Sequence, residues 1–272
     1  MCPRPIRHRS LVAATRRGIP TTPRLKKFAK EVGALPFRLL PGAVRRRVVQ
    51  LLLHAMTRLR PEAAMRELLQ IDTDVTGLIN ETAIAYDGGV HVKHRLMRYH
   101  DFFVDRIRPG ERVLDIGSGN GAVAHSVATR SAAVVVGLDL NEDNVASARR
   151  MFSHSSLTFL VGEAPGDIPA ERFDVVIMSN VLEHLEHRVE FLKLIQERVS
   201  PSRWLLRVPM FDREWRVAMR KELGLYYFGD PTHATEYTHE SFEMEIQEAG
   251  FKITSLQINW GEIWAEVSCD VH

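Results

Sequence analysis

The residues with the clearest chemistry stand together in Val113-Leu114-Asp115-Ile116-Gly117-Ser118-Gly119-Asn120-Gly121, where an apolar run meets three alternating glycines. Glycines at that spacing let the backbone turn tightly and approach a ligand with no Cβ in the way. A helix starting just beyond would add free N–H groups and a partial positive charge. Gly117, Gly119 and Ala122 also satisfy a dinucleotide-type pattern of G-x-G-x-x-[GA], so the turn alone leaves two ligand classes open. Asp115, two residues before the first glycine, favours a cationic ligand over a pyrophosphate. Asp139 closes the next apolar run, placed to accept hydrogen bonds from two ribose hydroxyls. Past Asn180-Val181-Leu182-Glu183-His184 little chain remains for the substrate domain that a hydride-transfer enzyme would need.

The elements that position these residues are legible as apolar periodicity. Short apolar runs occur at 112–116, 133–138, 157–161, 173–178, 204–208, 252–258 and 263–268. Helical patterns near 121–130, 142–152, 164–170 and 185–199 separate the first five. Strands alternating with helices predict a doubly wound α/β sheet that is mostly parallel. The last two runs are joined only by Asn259-Trp260-Gly261-Glu262, too short for a parallel crossover, so they are expected to form an antiparallel hairpin. The fold expected is a seven-stranded Rossmann-like sheet with that C-terminal hairpin and a basic helical extension at the N-terminus.

Residues 96–272, about two-thirds of the chain, resemble a class I S-adenosylmethionine-dependent methyltransferase of the small-molecule and sugar O-methyltransferase group. The resemblance rests on the glycine turn, the acid closing strand two, Gly162-Glu163-Ala164, and Asn180 to His184. Asp230-Pro231-Thr232-His233, Glu236-Tyr237-Thr238 and Ala249-Gly250-Phe251 extend it. It implies that Asp115, Gly117, Ser118, Gly119 and Gly121 surround the methionine part of S-adenosyl-L-methionine. Asp139 then holds the ribose, Leu140 packs on the adenine, Glu163 and Ala164 meet its edge, and Asn180 sits by the amino acid and the methyl.

His184 and His233 are the candidate catalytic residues, since imidazole accepts a proton near neutral pH. Related ubiquinone-pathway and small-RNA 2′-O-methyltransferases carry Glu-x-x-Glu-His and a later His here, and use them to bind Mg²⁺. This chain has Asn180 in place of the first carboxylate, so no metal is assigned. Segment 209–232 is expected to face the substrate, its aromatics and Arg213, Arg216, Arg220 and Lys221 suiting an apolar or sugar-like acceptor with an acidic group. A helix packing on the core would show the same composition. His91, Lys93, His94, Arg95 and His100 form a second basic cluster near the expected acceptor entrance.

Charge divides the chain further. The net charge is +2, yet residues 1–60 hold 15 Lys/Arg against a single acid, Glu31, leaving 21 bases and 33 acids for the rest. We read three segments: a basic extension at 1–62, a helical cap at 63–95 and the catalytic domain at 96–272. Within the extension, two short helices are expected over 25–60, with Val44, Val48, Leu51, Leu52, Ala55 and Leu59 at helical spacing and arginines alongside. Peripheral contact with an anionic membrane, a solvated helix packed on its own body, and nucleic-acid binding are all open to such a segment. No nucleic-acid motif supports the last. The Arg-rich first 30 residues also look like an organelle transit peptide, so the expected cytoplasmic location leaves targeting open.

The two cysteines, Cys2 and Cys269, build no disulfide framework or thiolate zinc cluster, and no apolar stretch reaches membrane-spanning length. The function expected is methyl transfer to oxygen of a small molecule or a cell-surface glycan. A quinone or aromatic acceptor, a nucleic-acid methyltransferase and a non-catalytic cofactor-binding protein are the alternatives.

Overall fold

The computed structural model describes residues 36–269. The chain divides into two compact units, one reaching Ala64 and one starting at Met65. In the first, Pro41 precedes helix α1 (Gly42–Met56), which buries none of its residues. The expected helix over 25–35 lies outside the described residues.

Helix α2 (Pro61–Tyr86) starts with proline at its first position, where the missing N–H costs nothing, and carries Glu62 in its first turn. It ends at Gly88 and Gly89, both at positive φ. Short helices α3 (Lys93–Met97) and α4 (Tyr99–Val104) then lead into the sheet, with the left-handed Arg98 between them.

Seven strands follow: β1 (Arg112–Ile116), β2 (Val134–Asp139), β3 (Leu157–Val161), β4 (Val175–Ser179), β5 (Arg203–Pro209), β6 (Phe251–Asn259) and β7 (Glu262–Cys269). Their spatial order is β3-β2-β1-β4-β5-β7-β6, with β7 antiparallel to both β5 and β6 and all other pairs parallel. Both faces are covered, so the strands bury residues of either parity. Leu114, Ile116, Val136, Leu138, Val176, Met178 and Leu206 pack with α7 (Arg188–Val199) and α9 (His239–Glu248). Val113, Val135, Val175, Ile177 and Leu205 pack with α4, α5 (Ala122–Arg130) and α6 (Glu142–Met151). The hairpin turns at Trp260 and Gly261, both at positive φ, as a two-residue turn matching the strand twist requires.

The helix expected over 164–170 is a sequence of turns. Pro165 and Pro169 each lack an N–H, so a helical ladder through this short segment cannot be completed. Its buried Ile168 instead plugs the core below β3 and β4.

The order reverses between β1 and β4, β2 and β3 lying on one side and β5 to β7 on the other. In open α/β sheets a ligand crevice lies beyond the strand carboxyl ends at such a reversal. Asp115 precedes that edge on β1, Asp139 ends β2, and Asn180 follows β4.

Candidate active site

The turn after β1 is held by the end of β2. Gly117 and Ser118 N–H both donate to Leu138 C=O, at 2.8 and 3.1 Å, and Gly119 N–H donates to Asp139 Oδ2 at 2.7 Å. Gly117, Gly119 and Gly121 all have positive φ. A Cβ on Gly121 would lie 2.4 Å from Phe159 Cζ, and one on Gly117 2.5 Å from Val181 Cγ2, so neighbours enforce those two glycines. A Cβ on Gly119 would meet nothing within 4 Å. That glycine faces open space, as a ligand cradle requires.

Around this turn, buried polar atoms stand without partners. Asp115 is 1% exposed with Oδ2 unpaired, and Ser118 Oγ and Asn180 Oδ1 are unpaired too. Leaving such groups unmade costs on the order of 1–3 kcal/mol each, which a ligand would recover. Burial, then the neighbouring Asp139, pushes the Asp115 carboxyl up to about 8. A ligand ammonium or sulfonium would supply the missing counter-charge. Asn180 holds a left-handed backbone, and its N–H donates to Arg207 C=O at 2.7 Å.

Asp139 has already engaged both oxygens, through Gly119 N–H and through Asn141 N–H at 2.9 Å. Leu140 beside it is 74% exposed. Gly162 N–H donates to Asp139 C=O, which places the exposed Glu163 and the half-buried Ala164 along the same edge. The ten cofactor-binding candidates therefore lie along the carboxyl ends of β1 to β4.

The two candidate catalytic histidines also meet. Ala234 and Thr235 N–H donate to Glu183 C=O, tying the 230–236 loop to the turn after β4. The His184 and His233 rings lie 4.7 Å apart, nearly perpendicular. Thr232 Oγ1 donates to Asp230 Oδ1 at 2.6 Å, so it accepts from His184 Nδ1–H at 2.8 Å. The carboxylate of Glu236 accepts from His233 Nδ1–H at 3.3 Å. Each pairing leaves the Nε2 lone pair free. Burial, then His233, lowers the His184 pKa, so its ring is neutral at pH 7.

Glu183 completes this group. It is fully buried, neither carboxylate oxygen has a partner, and burial pushes its carboxyl up to about 7. One donor atom from each of Glu183, His184 and His233 lies within 4.8 Å of the others.

Of the two readings open for the basic residues in 209–232, the structure supplies packing contacts. Arg216 and Arg220, on α8 (Trp215–Glu222), both pair with Asp72 of α2. Arg213 pairs with Glu236, and Lys221 Nζ sits 4.9 Å above the Phe211 ring. The three arginines thus have intramolecular counter-charges, while the exposed Lys221 has only the ring contact. The cluster before β1 is less basic than its composition. Tyr99 Oη and His100 Nε2 lie 2.7 and 2.8 Å from His94 Nδ1, and burial lowers His94 to about 3 and His100 to about 4. Both rings are neutral at physiological pH.

Beneath the site, Arg207 on β5 is 3% exposed, forms two bonds to Glu262, and stacks 3.8 Å over the Tyr99 ring. An arginine in the otherwise apolar run Trp204–Val208 is a visible sign of a buried partner, but Glu262 is 55 residues away and the pairing was not legible.

A model of the methyltransferase domain matches residues 89–256, more than half of the chain. The chain belongs to the class I S-adenosylmethionine-dependent methyltransferase family. It is 33% identical over 120 residues to a ubiquinone biosynthesis O-methyltransferase from Bradyrhizobium diazoefficiens, covering 43% of this chain and 47% of that one. It is 30% identical over 128 residues to the mitochondrial ubiquinone biosynthesis O-methyltransferase of Schizosaccharomyces pombe, covering 43% and 46%. The chain spans about half the length of these curated relatives. A magnesium protoporphyrin IX methyltransferase from Synechocystis, solved with bound S-adenosylhomocysteine, shares the fold at TM-score 0.54 and 19% identity, covering 72% of this chain and 95% of that one. The cofactor of this methyltransferase family, S-adenosylmethionine, fits the unpaired Asp115, Ser118 and Asn180 and the open space at Gly119.

Proposed function

We propose that this chain methylates the oxygen of a small-molecule acceptor, and that the acceptor hydroxyl is aromatic. The observation that carries the proposal is the pair of adjacent imidazoles in the turn after β4 and the loop tied to it, with both Nδ1 positions occupied and both Nε2 lone pairs free. S-adenosylmethionine, when bound, would supply an electrophilic methyl, the C–S bond breaking as the C–O bond to the acceptor forms. His184 or His233 Nε2 takes the hydroxyl proton, so the oxygen attacks with greater negative charge. Glu183 offers a carboxylate for a second hydroxyl or for the imidazolium that forms. Asp115, Ser118 and Asn180 orient the cofactor's amino-acid end, Asp139 its ribose, and Leu140, Glu163 and Ala164 its adenine.

An aromatic acceptor is favoured by the wall next to His233. The Tyr227 and Phe228 rings lie 4.5 Å apart, Phe211 lies 5.8 Å from Tyr227, and Phe228 lies 6.4 Å from His233. The names of the quinone-pathway relatives agree with that class. A glycan sugar, the other acceptor expected from the sequence, has no comparable support.

The Mg²⁺ of relatives with two carboxylates does not fit this donor set. Position 180 supplies an amide where they have a carboxylate, so Glu183 is the single carboxylate beside the two imidazoles, and Mg²⁺ loses one of the hard oxygen ligands that it prefers. No step is routed through a metal.

The test is His233→Ala with a catechol-type acceptor. We expect kcat to fall about 10²–10⁴-fold with cofactor affinity unchanged. An unchanged kcat in both His233→Ala and His184→Ala would reject the proton-acceptor role.

A further inference from the structure

Helix α1 is amphipathic, and its apolar face has no cover among the described residues. At 100° per residue, Val44, Val48, Leu51, Leu52 and Ala55 fall on one side, and Arg46, Arg47, Gln50 and His54 on the other. No residue of the helix is buried, and Leu51 and Leu52 remain about as open as polar surface residues, at 59% and 62%. An exposed apolar stripe of this size marks a contact surface.

Charge says what kind of surface. Residues 36–61 contain Arg38, Arg45, Arg46, Arg47, Arg58 and Arg60 and no acid. None of these six forms an ion pair among the described residues, whereas most arginines of the catalytic unit have a carboxylate partner. A protein partner with an acidic groove would satisfy the arginines but not a continuous open stripe of aliphatic side chains. Nucleic acid would likewise leave Leu51 and Leu52 in water. An anionic bilayer surface satisfies both, since the stripe enters the acyl boundary while the arginines meet lipid phosphates. At 15 residues α1 is too short to cross a bilayer, and no described helix is long and apolar enough to do so.

We propose that α1 docks the chain on an anionic phospholipid surface, lying in the interface with Val44, Val48, Leu51 and Leu52 inserted. The proposal does not rest on the reading of the methyl-transfer site.

Vesicle co-sedimentation of the full chain tests it. Vesicles of phosphatidylcholine with phosphatidylglycerol should bind, and vesicles of phosphatidylcholine alone should not. Each of Arg46→Gln and Arg47→Gln should weaken binding about fivefold, since a basic residue at such a surface contributes about 1 kcal/mol. Leu51→Ser with Leu52→Ser keeps the charge and should weaken binding about tenfold or more, which bare electrostatic attraction would not. These side chains are exposed, so the thermal midpoint and cofactor affinity should stay at parent values. Equal binding to both vesicle types, or full binding by the double serine variant, would overturn the proposal. So would tight RNA binding with no vesicle binding at the same salt.

Discussion

Asp115→Asn tests the electrostatic logic of the cofactor crevice. Burial first, and Asp139 second, raise the Asp115 carboxyl from 3.8 to about 8, so at pH 7 about nine-tenths of free chains carry it neutral. A carboxyl whose pKa is raised by folding binds a proton in the native state that the unfolded chain has released. Its contribution to stability is whole below the unfolded value and is lost as pH rises towards the folded value. Over a gap of roughly four units the ceiling is about 5–6 kcal/mol. Asparagine does not titrate, so the thermal midpoint of Asp115→Asn relative to the parent should climb between roughly pH 4 and pH 8.

Cofactor binding reverses the effect, because an ammonium beside the carboxylate restores its charge. At pH 7 the parent should release about 0.9 proton on binding, read by isothermal titration calorimetry in buffers of different ionisation enthalpy. Asp115→Asn should release almost none and bind about 10–100-fold more weakly, the loss of one charge-assisted hydrogen bond. Buffer-independent binding by the parent at pH 7, or the same proton release from both proteins, would refute the reasoning.

Three further outcomes follow from the same structure. Gly119→Ala should cost only about 1–2 kcal/mol of stability, from its left-handed backbone, but should sharply reduce cofactor affinity because its Cβ fills the open cradle; Gly121→Ala should destabilise more, since Phe159 and Ala148 must move. Denaturant titration and calorimetry separate the two effects, and equal losses of affinity with equal losses of stability would contradict the cradle. Glu262→Gln should cost about 3–5 kcal/mol in urea unfolding, because it leaves the guanidinium of the buried Arg207 without its counter-charge; a change below about 1 kcal/mol would show that the pair is solvated. Added Mg²⁺ should leave the methyl-transfer rate unchanged, and a rate abolished by chelation and restored by Mg²⁺ would overturn the reading of the Glu183 group.

The sheet was legible because its central strands are buried on both faces and read as continuous apolar runs, β1 to the residue; the edge strand β3 was also read to the residue, from its apolar run alone. The hairpin was legible from the length of its connection. The segment 164–170 misled because its apolar residues match a helical stripe while its two prolines deny the ladder. For Arg216 and Arg220 the sequence left acceptor contact and helix packing both open, since it displays charges but not their partners. Asp72 lies 144 and 148 residues away, and the pair serves to hold α8 against α2. At the site, residue types announced His184 and His233, but their usable nitrogens follow from Thr232, Asp230 and Glu236 arriving on a folded loop. Glu183 was noticed only as a fragment of a metal motif. Its burial without a partner is a property of the fold.

Methyl transfer to an aromatic oxygen rests here on the His184 and His233 imidazoles. It is tested most directly by incubating the full chain with methyl-labelled S-adenosylmethionine and a catechol-type acceptor, then locating the label. Label should appear in an aryl methyl ether, with transfer collapsing in the His184→Ala, His233→Ala double variant while cofactor binding persists. Tight cofactor binding with no label in any acceptor, or undiminished transfer by the double variant, would contradict it.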